Sequence, residues 1–175
     1  MSNLIRMVYV STTTNPVKLN DGGVQKDIGR ILMQARKNNP KDQIGGVLYF
    51  SNNYFFQCLE GEQAAVNRLY NTIADDPRHQ NVQSVSVKRI HTRQFANWSM
   101  KYVALEDDVS RLLKESGYDT FTPYEFDDDM IDKMLGLFTN AVDQTTRPDQ
   151  NYNATIASKE KQGLLSRLFN RKQAA

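Results

Sequence analysis

Cysteine, tryptophan and histidine are scarce in this chain of 175 residues, which has one, one and two of them. The single cysteine, Cys58, excludes a disulfide within the chain and a metal site built from several cysteines. The two histidines, His79 and His91, lie apart in the sequence and form no metal-ligand pattern. The composition therefore indicates neither a disulfide scaffold nor a metal centre based on cysteine and histidine.

Long hydrophobic runs are also lacking, since no stretch of about 18 apolar residues occurs, and this predicts the absence of a transmembrane helix. The N-terminus has no basic start followed by an apolar core, so it does not resemble a signal peptide. We therefore expect a cytoplasmic protein by default.

Catalytic motifs are few. The pairs Gly22-Gly23 and Gly45-Gly46 are isolated and do not form a phosphate-binding loop of known spacing. A nucleophile and base made by Cys58 and His79 is conceivable, but a cysteine in an apolar strand is more often a small core residue. These residues give no reason to expect an enzyme.

The net charge of +2 is unevenly distributed. Residues 106–132 carry ten acidic and two basic side chains, whereas residues 154–175 carry five basic and one acidic. The acidic stretch argues against a direct nucleic-acid surface there. The basic stretch contains Leu164, Leu165, Leu168 and Phe169, and we weigh a short amphipathic helix for a partner or membrane surface against a solvated tail.

Hydrophobic periodicity predicts an α+β fold. Alternating or apolar runs predict five strands at Leu4–Val10, Ile44–Phe50, Tyr54–Leu59, Val82–His91 and Trp98–Leu105. Helical stripes fall after the first and third strands, which gives the order β-α-β-β-α-β-β. This order is typical of a ferredoxin-like sheet with two helices on one face.

Two further helices are predicted after the sheet. The first ends near Gly117, and the second begins at the capping box formed by Thr122 and Glu125. The second helix carries a stripe that we expect to pack on the sheet rather than on a second subunit: Met130, Met134, Leu137, Phe138 and Ala141. We divide the chain into a domain at 1–105, a helical extension at 106–145, and a linker with a basic amphipathic tail at 146–175.

Gln57 is an uncharged polar side chain in the middle of the apolar strand Tyr54–Gly61. An unpaired amide buried there would cost about 1–3 kcal/mol, so Gln57 needs a partner. Either it faces water or the backbone at a sheet edge, or it points at a bound polar ligand.

Other polar or redox-capable side chains occur in or beside the predicted strands and helix ends. Each has an ordinary structural explanation as a core aromatic, a helix stop or a surface cation: Tyr9, Asn38, Asn39, Arg78, His79, Trp98 and Met100. Together they suit a planar heteroaromatic ligand with amide-like edges, because asparagine and glutamine both donate and accept. Ile31 and Ile73, one on each predicted helix, could pack on the two faces of its ring.

Six blocks of the sequence, in order and with fitting spacing, together resemble the BLUF domain, a blue-light sensor that uses flavin. They are Leu4–Ser11, Ala35–Asn39, Ile44–Tyr49, Phe56–Gly61, Asp76–His79 and Arg93–Met100. The resemblance covers about residues 3–105, and the two helices that follow are similar to those of stand-alone BLUF photoreceptors. The loop at 11–23 is several residues longer than usual, which leaves open how it shields the pocket.

The resemblance implies FAD bound noncovalently between the two helices. It implies that Asn39, with Asn38, binds the flavin edge, that Ile31 and Ile73 pack on its faces, and that Arg78 and His79 lie towards the ribityl phosphate. It further implies that Tyr9 and Gln57 are the photoactive pair and that Trp98 and Met100 couple the pocket to the rest of the protein. By the same resemblance we expect a homo-oligomer that signals to a partner protein and has no enzymatic activity.

Two other classes stay open. One is a small flavin-dependent or acylphosphatase-like enzyme on a ferredoxin-like sheet, for which the sequence shows no phosphate-binding constellation of arginine and asparagine. The other is an interaction module without photochemistry, which could bind RNA on an exposed sheet face lined by aromatic side chains.

Overall fold

The computed structural model describes residues 3–15 and 23–143, so the predicted linker and basic tail at 146–175 lie outside the described residues. Over the described part the strands are β1 (Leu4–Thr13), β2 (Gly45–Ser51), β3 (Tyr54–Glu62), β4 (His79–Arg89) and β5 (Lys101–Tyr102). The helices are α1 (Gly23–Asn38), α2 (Gln63–Ala74), α3 (Glu106–Glu115) and α4 (Asp128–Asp143), and 3₁₀ turns lie at Asn39–Asp42 and Pro123–Glu125.

The strands form one mixed sheet in the order β4-β1-β3-β2-β5. β1 pairs with both β3 and β4 in antiparallel fashion, β2 pairs with β3 antiparallel, and β5 lies parallel to β2. This confirms the predicted ferredoxin-like α+β fold. A hairpin joins β2 to β3 through Asn52 and Asn53, whose φ angles of 50° and 66° are left-handed, as a tight two-residue turn requires.

The two faces of the sheet are both covered by helices. On one face α1 and α2 lie over side chains of β1 and β3. On the other face the predicted stripe packs on the sheet: Met130, Met134 and Phe138 of α4 belong to one buried cluster with Val8 and Phe56. Within the described residues, each face of the sheet therefore carries a helical layer over its inner strands.

Side chains of α3 and of the segment before α4 complete this second layer. The rings of Tyr49 and Phe121 meet edge to face at 5.1 Å, and Tyr49 lies 5.5 Å from Phe138. Such aromatic pairs add to the stability that burial alone provides. In the described residues no helix combines the length and the apolar character that crossing a membrane requires.

The fifth strand is much shorter than the predicted range Trp98–Leu105, because β5 contains only Lys101 and Tyr102. Trp98 and Met100 therefore precede the strand instead of opening it. The Trp98 N–H donates to Phe95 O at 3.0 Å, and Trp98 O accepts from Gly46 N at 2.9 Å. This local turn replaces the ladder of hydrogen bonds that a longer strand would have made.

The predicted start of the second C-terminal helix at Thr122 is also wrong. Thr122 Oγ1 does reach Glu125 Oε2 at 3.1 Å, but this pair closes a 3₁₀ turn, after which Phe126 is extended (φ −70°, ψ 130°). The helix begins at Asp128, and the carboxylate of Asp127 accepts a hydrogen bond from Met130 N at 2.8 Å as its N-cap.

Other strand boundaries differ from the prediction as well, and β1 continues past the predicted Val10 to Thr13. β3 continues past the predicted Leu59 to Glu62, because Glu60, Gly61 and Glu62 still pair with β1. β4 begins at His79 rather than at Val82, because the long β1 pairs with it as far as Thr13.

Candidate functional site

A cleft between α1 and α2, floored by β1 and β3, contains every residue that the sequence suggests for cofactor binding. These residues are Tyr9, Ile31, Asn38, Asn39, Gln57, Ile73, Arg78 and His79. Five more residues line the same cleft: Gln34, Ala35, Leu69, Thr72 and Asp76. The structure thus brings the eight candidates together, and their roles remain predictions.

Tyr9 and Gln57 face each other across the pair β1–β3, where they are register partners. Both are buried, and the Tyr9 hydroxyl donates to Gln57 Oε1 at 2.5 Å. Tyr70 lies edge-on to the Tyr9 ring, with 5.9 Å between the ring centroids. Gln57 is therefore not a water-facing amide at a sheet edge, since its strand is the middle strand and its carbonyl is bound to a phenol.

Burial keeps the Tyr9 hydroxyl protonated. Desolvation raises the pKa of the phenol far above its ordinary value, and the Asp76 carboxylate raises it further, while the Arg78 guanidinium opposes this. The neutral phenol is consequently a hydrogen-bond donor to Gln57. Its proton can leave readily only when the ring also loses an electron.

The amide nitrogen of Gln57 donates to Met100 Sδ at 3.4 Å, and Met100 is fully buried. A primary amide has two N–H donors, and among the described residues the second one has no acceptor. In Asn39 an acceptor, rather than a donor, is without a partner among the described residues. Its Nδ2 donates to Ser99 O at 2.6 Å, but no donor within the described part of the chain meets its side-chain oxygen.

These two unpaired groups are the observation on which the fit of a flavin can be tested. Gln57 and Asn39 are both 2% exposed, where an unsatisfied polar group costs about 1–3 kcal/mol. One group donates and the other accepts, and both belong to residues that line the same cleft. A flat ring with alternating amide-like donors and acceptors at its edge satisfies both, so the residues present fit a flavin.

The two asparagines are not equivalent. Asn38, the last residue of α1, is exposed and its side-chain oxygen accepts from Lys41 Nζ at 3.4 Å. Asn39 begins the 3₁₀ turn and is buried. The tighter turn rotates the chain after α1, so that the second asparagine rather than the first points inward.

Trp98 and Met100 are also separated by the structure. Met100 contacts Gln57, whereas Trp98 does not line the cleft and is part of the buried cluster that includes α3 and α4. The ammonium of Lys101 lies 4.3 Å from the centroid of the Trp98 ring. Of the two residues predicted to couple the pocket to the rest of the protein, only Met100 is in contact with Gln57.

Charged groups close the other end of the cleft. The guanidinium of Arg78, just after α2, binds the Asp76 carboxylate and donates to Gln34 Oε1 on α1 at 2.8 Å. Hydrogen bonds from Arg78 lower the pKa of Asp76, and Asp76 in turn raises the pKa of Arg78, so both stay charged. A cation is thereby held in the lining of the cleft, where an anionic group of a ligand could replace Gln34 or Asp76.

His79 is a neutral partner in this region. Its Nδ1 lies 2.8 Å from Ser11 Oγ, and its ring lies 4.6 Å from that of Phe55. Burial lowers the pKa of His79 to about 4. The imidazole therefore acts as a hydrogen-bonding group and not as a cation.

Five lining residues were not predicted as cofactor contacts, and two of them, Gln34 and Asp76, bind Arg78. Gln34 follows Ile31 by almost one turn of α1 and so lies on the same helical face, a spacing that could have indicated it. Asp76 appeared in the sequence analysis only as the first residue of the block Asp76–His79, and its proximity to Arg78 was the available signal.

The alternative pair of Cys58 and His79 is not assembled. Cys58 lies in the buried cluster on the side of α4, whereas His79 lines the cleft on the opposite face. Burial also raises the pKa of the Cys58 thiol, which disfavours the thiolate.

Comparison with known proteins agrees with this geometry. The sequence matches the family described as "BLUF: Sensors of blue-light using FAD" over residues 4–101. It is 29% identical over 125 residues to the blue light- and temperature-regulated antirepressor BluF of Escherichia coli (strain K12), which covers 69% of this chain and 30% of that protein. It is 30% identical over 133 residues to the photoactivated adenylate cyclase subunit beta of Euglena longa, covering 70% and 15%.

A solved structure titled "BlsA photo-activated state" is similar along nearly its whole length. It shares 34% sequence identity with a TM-score of 0.70, and the match covers 78% of this chain and 94% of that one. The curated relatives above are much longer, since the chain spans only 15% and 30% of them. The matched family, the shared fold and the cleft lead to one conclusion: this chain belongs to the BLUF family, the flavin-dependent sensors of blue light.

Proposed function

We propose that this chain holds FAD noncovalently between α1 and α2 and turns blue light into a changed hydrogen-bond network at Gln57. The observation that carries the proposal is the buried series Tyr9–Gln57–Met100, in which one N–H of Gln57 is unpaired within the described residues. The chain turns over no substrate, and its output is a change of contacts that a partner protein recognises.

Each part of the cleft suits a different part of the cofactor. Gln57 and Asn39 would bind the edge of the ring, and Ile31 and Ile73 would pack on its two faces. Arg78 supplies a cation for a phosphate, which favours a phosphorylated flavin such as FAD over riboflavin. Asn38 and His79 lie on the same lining and would contact the remainder of the molecule.

When bound, a flavin would supply absorption of blue light and one-electron redox chemistry, for which Tyr9 would be the electron donor. Oxidation makes the Tyr9 phenol strongly acidic, and its hydrogen bond to Gln57 Oε1 gives the proton an immediate acceptor. The proton and the electron both return to Tyr9 at the end of the cycle, so the charge of the protein is conserved.

What persists is the arrangement of the Gln57 amide. Met100 offers a thioether sulfur, which accepts hydrogen bonds but cannot donate one. The contact of Gln57 Nε2 with Met100 Sδ therefore favours one orientation of the amide, and a rotated or tautomeric amide that presents oxygen to the sulfur loses it. The segment that carries Met100 is then free to shift, which supplies the bistable element that a switch needs.

The output has to pass through the layer outside the cleft. We propose the division into a flavin-binding domain at 1–105, a helical extension at 106–145 that covers the second face of the sheet, and a linker with a tail at 146–175. The Escherichia coli relative is named an antirepressor, and an adaptor of that kind acts on another protein. That this chain self-associates and that it is cytoplasmic remain predictions.

The test uses purified protein, reconstituted with FAD where needed, and absorption spectra in the dark and after blue light. The wild type should be yellow and show a reversible red shift, because a stronger hydrogen bond to the flavin stabilises its excited state. Gln57→Leu should stay yellow and lose the shift. Gln34→Leu removes another amide of the same cleft and should keep it. A normal shift in Gln57→Leu would sink the assignment of Gln57, and a wild type without a shift would reject the sensor mechanism.

A further inference from the structure

Glu60 is a carboxylate with no exposed surface, on the same strand as Gln57. Its Oε1 accepts from Arg6 Nε at 2.7 Å, and its Oε2 accepts from the backbone N–H of Phe95 at 2.9 Å. Burying an ion pair is costly and seldom adds net stability compared with apolar residues of similar volume. The specific contact with Phe95 therefore calls for a role besides stability.

Phe95 is the first residue of the segment that ends at Met100. The close approach of this segment to β2 depends on Gly45, because a Cβ on Gly45 would lie 2.1 Å from Phe95 O. Further along, the N–H of Gly46 donates to Trp98 O at 2.9 Å. Glu60 fixes the beginning of the segment, and the contact of Met100 with Gln57 forms its end.

We propose that Glu60 is a positioning residue for the light response. By binding Phe95 N–H, it holds the segment Phe95–Met100 at the place from which Met100 contacts Gln57. Glu60 does not itself meet the photoactive pair, since its side chain is bound to Arg6 and Phe95. The inference rests on the proposed photochemistry of Tyr9 and Gln57.

A carboxylate is needed because both of its oxygens accept. In Glu60→Gln the amide keeps one acceptor, which turns to the cation of Arg6 because a hydrogen bond from a charged donor is the stronger one. The amide NH₂ then faces the N–H of Phe95, so two donors meet and this end of the segment is released. The substitution removes the anchor while it leaves Tyr9, Gln57 and Met100 unchanged.

Trp98, the single tryptophan of the chain, lies inside the anchored segment and reports its position. Trp98 is buried, so in the dark, flavin-loaded protein its fluorescence should resist quenching by acrylamide. Glu60→Gln and, independently, Gly45→Ala should increase this quenching. Glu62→Gln changes an exposed carboxylate at the end of the same strand and should leave it at the wild-type level.

The second measurement is photochemical. Glu60→Gln should retain the red shift but recover in the dark about five-fold more slowly, the factor that corresponds to one hydrogen bond of about 1 kcal/mol. Recovery slows because the contact of Met100 with Gln57 has to form again without the anchor. In Met100→Leu that contact is gone, so adding Glu60→Gln should slow recovery no further.

The outcomes separate the two proposals. A wild type with a red shift, but with unchanged quenching and unchanged recovery in Glu60→Gln, overturns the anchor and leaves the photochemistry intact. If Glu60→Gln slows dark recovery by the same factor in the Met100→Leu background as in the wild type, Glu60 acts elsewhere, as a general structural residue. That result would also overturn the anchor. A wild type without any red shift contradicts the proposed function instead.

Discussion

The buried imidazole of His79 should make the stability of the fold depend on pH. Burial lowers its pKa from 6.5 to about 4, Asp76 counteracts this and Arg78 reinforces it. The Ser11 hydroxyl beside Nδ1 and the Phe55 ring are uncharged neighbours, so neither of them stabilises the imidazolium as a carboxylate would. His79 is therefore neutral in the folded protein at pH values where it is protonated in the unfolded chain.

The sign and the size follow from proton linkage. Between pH 6.5 and 4 the unfolded chain binds more protons at His79 than the folded protein does, so the free energy of unfolding falls as the pH decreases. Above pH 6.5 the full contribution is present. One pKa unit corresponds to about 1.36 kcal/mol, so going from neutral pH to pH 4 should cost about 3 kcal/mol through this group.

Urea unfolding of the wild type and of His79→Asn at pH 7 and pH 4 isolates the contribution of His79 to the pH dependence of stability, because the other titrating groups contribute to both proteins. Asparagine can keep a polar atom near the position of Nδ1, so the contact with Ser11 survives. The wild type should lose about 3 kcal/mol more than the variant over this pH interval. His91→Asn, at an exposed position, should behave as the wild type. Equal pH dependence of wild type and His79→Asn would refute the reasoning.

Two further substitutions test the core and the cleft. Phe138→Ala should lower the free energy of unfolding by about 3–5 kcal/mol in urea titrations, because Phe138 is fully buried against Tyr49, and a loss below about 1 kcal/mol would contradict the packing described. Asn39→Ala should weaken flavin binding about 5- to 150-fold, as measured by titration of the apoprotein, since it leaves about 1–3 kcal/mol of buried hydrogen bonding unmade. Asn38→Ala, at the exposed neighbouring position, is its matched control, and equal weakening by both would argue against Asn39 as the inward residue.

The sequence was sufficient to predict the order of the elements and most of their extents, because strands and helices here bury one face each and so carry clear periodicity. The turn at Asn52 and Asn53 is an example, since asparagine tolerates the left-handed angles that the hairpin needs. Turn preferences of this kind depend on neighbouring residues alone. The fold class follows from it without any knowledge of long-range contacts.

The wrong boundaries depend on contacts that the local sequence does not contain. Thr122 and Asp127 are both good N-cap residues, and only the extended Phe126 between them decides that α4 starts after the second. Likewise, β5 is short because the turn at Trp98 lies directly against Gly45, a residue far away in the chain. The spacing of apolar residues cannot predict a steric contact between two backbone segments that lie far apart in the sequence.

The site likewise has features that the sequence predicts and features that only the folded backbone determines. Residue types and the resemblance to the BLUF domain together suggested all eight candidate lining residues. They could not say which of Asn38 and Asn39 is buried, because the answer depends on a switch from α-helix to 3₁₀ turn. They also treated Trp98 and Met100 alike, although only Met100 contacts Gln57. Residue types indicate what a site can bind, whereas side-chain direction depends on the folded backbone.

That difference between Trp98 and Met100 bears on how a change at Gln57 can leave the cleft. β1 and β3 present residues to both faces, but they are the inner strands of a hydrogen-bonded sheet and have little freedom to move. The segment Phe95–Met100 is different: it contributes Met100 to the cleft side and Phe95 and Trp98 to the cluster beneath α3 and α4. A shift that breaks the contact between Met100 and Gln57 therefore displaces groups that support the helical layer directly. On these grounds we propose that this segment, rather than the sheet, carries a change at Gln57 from the cleft to the surface.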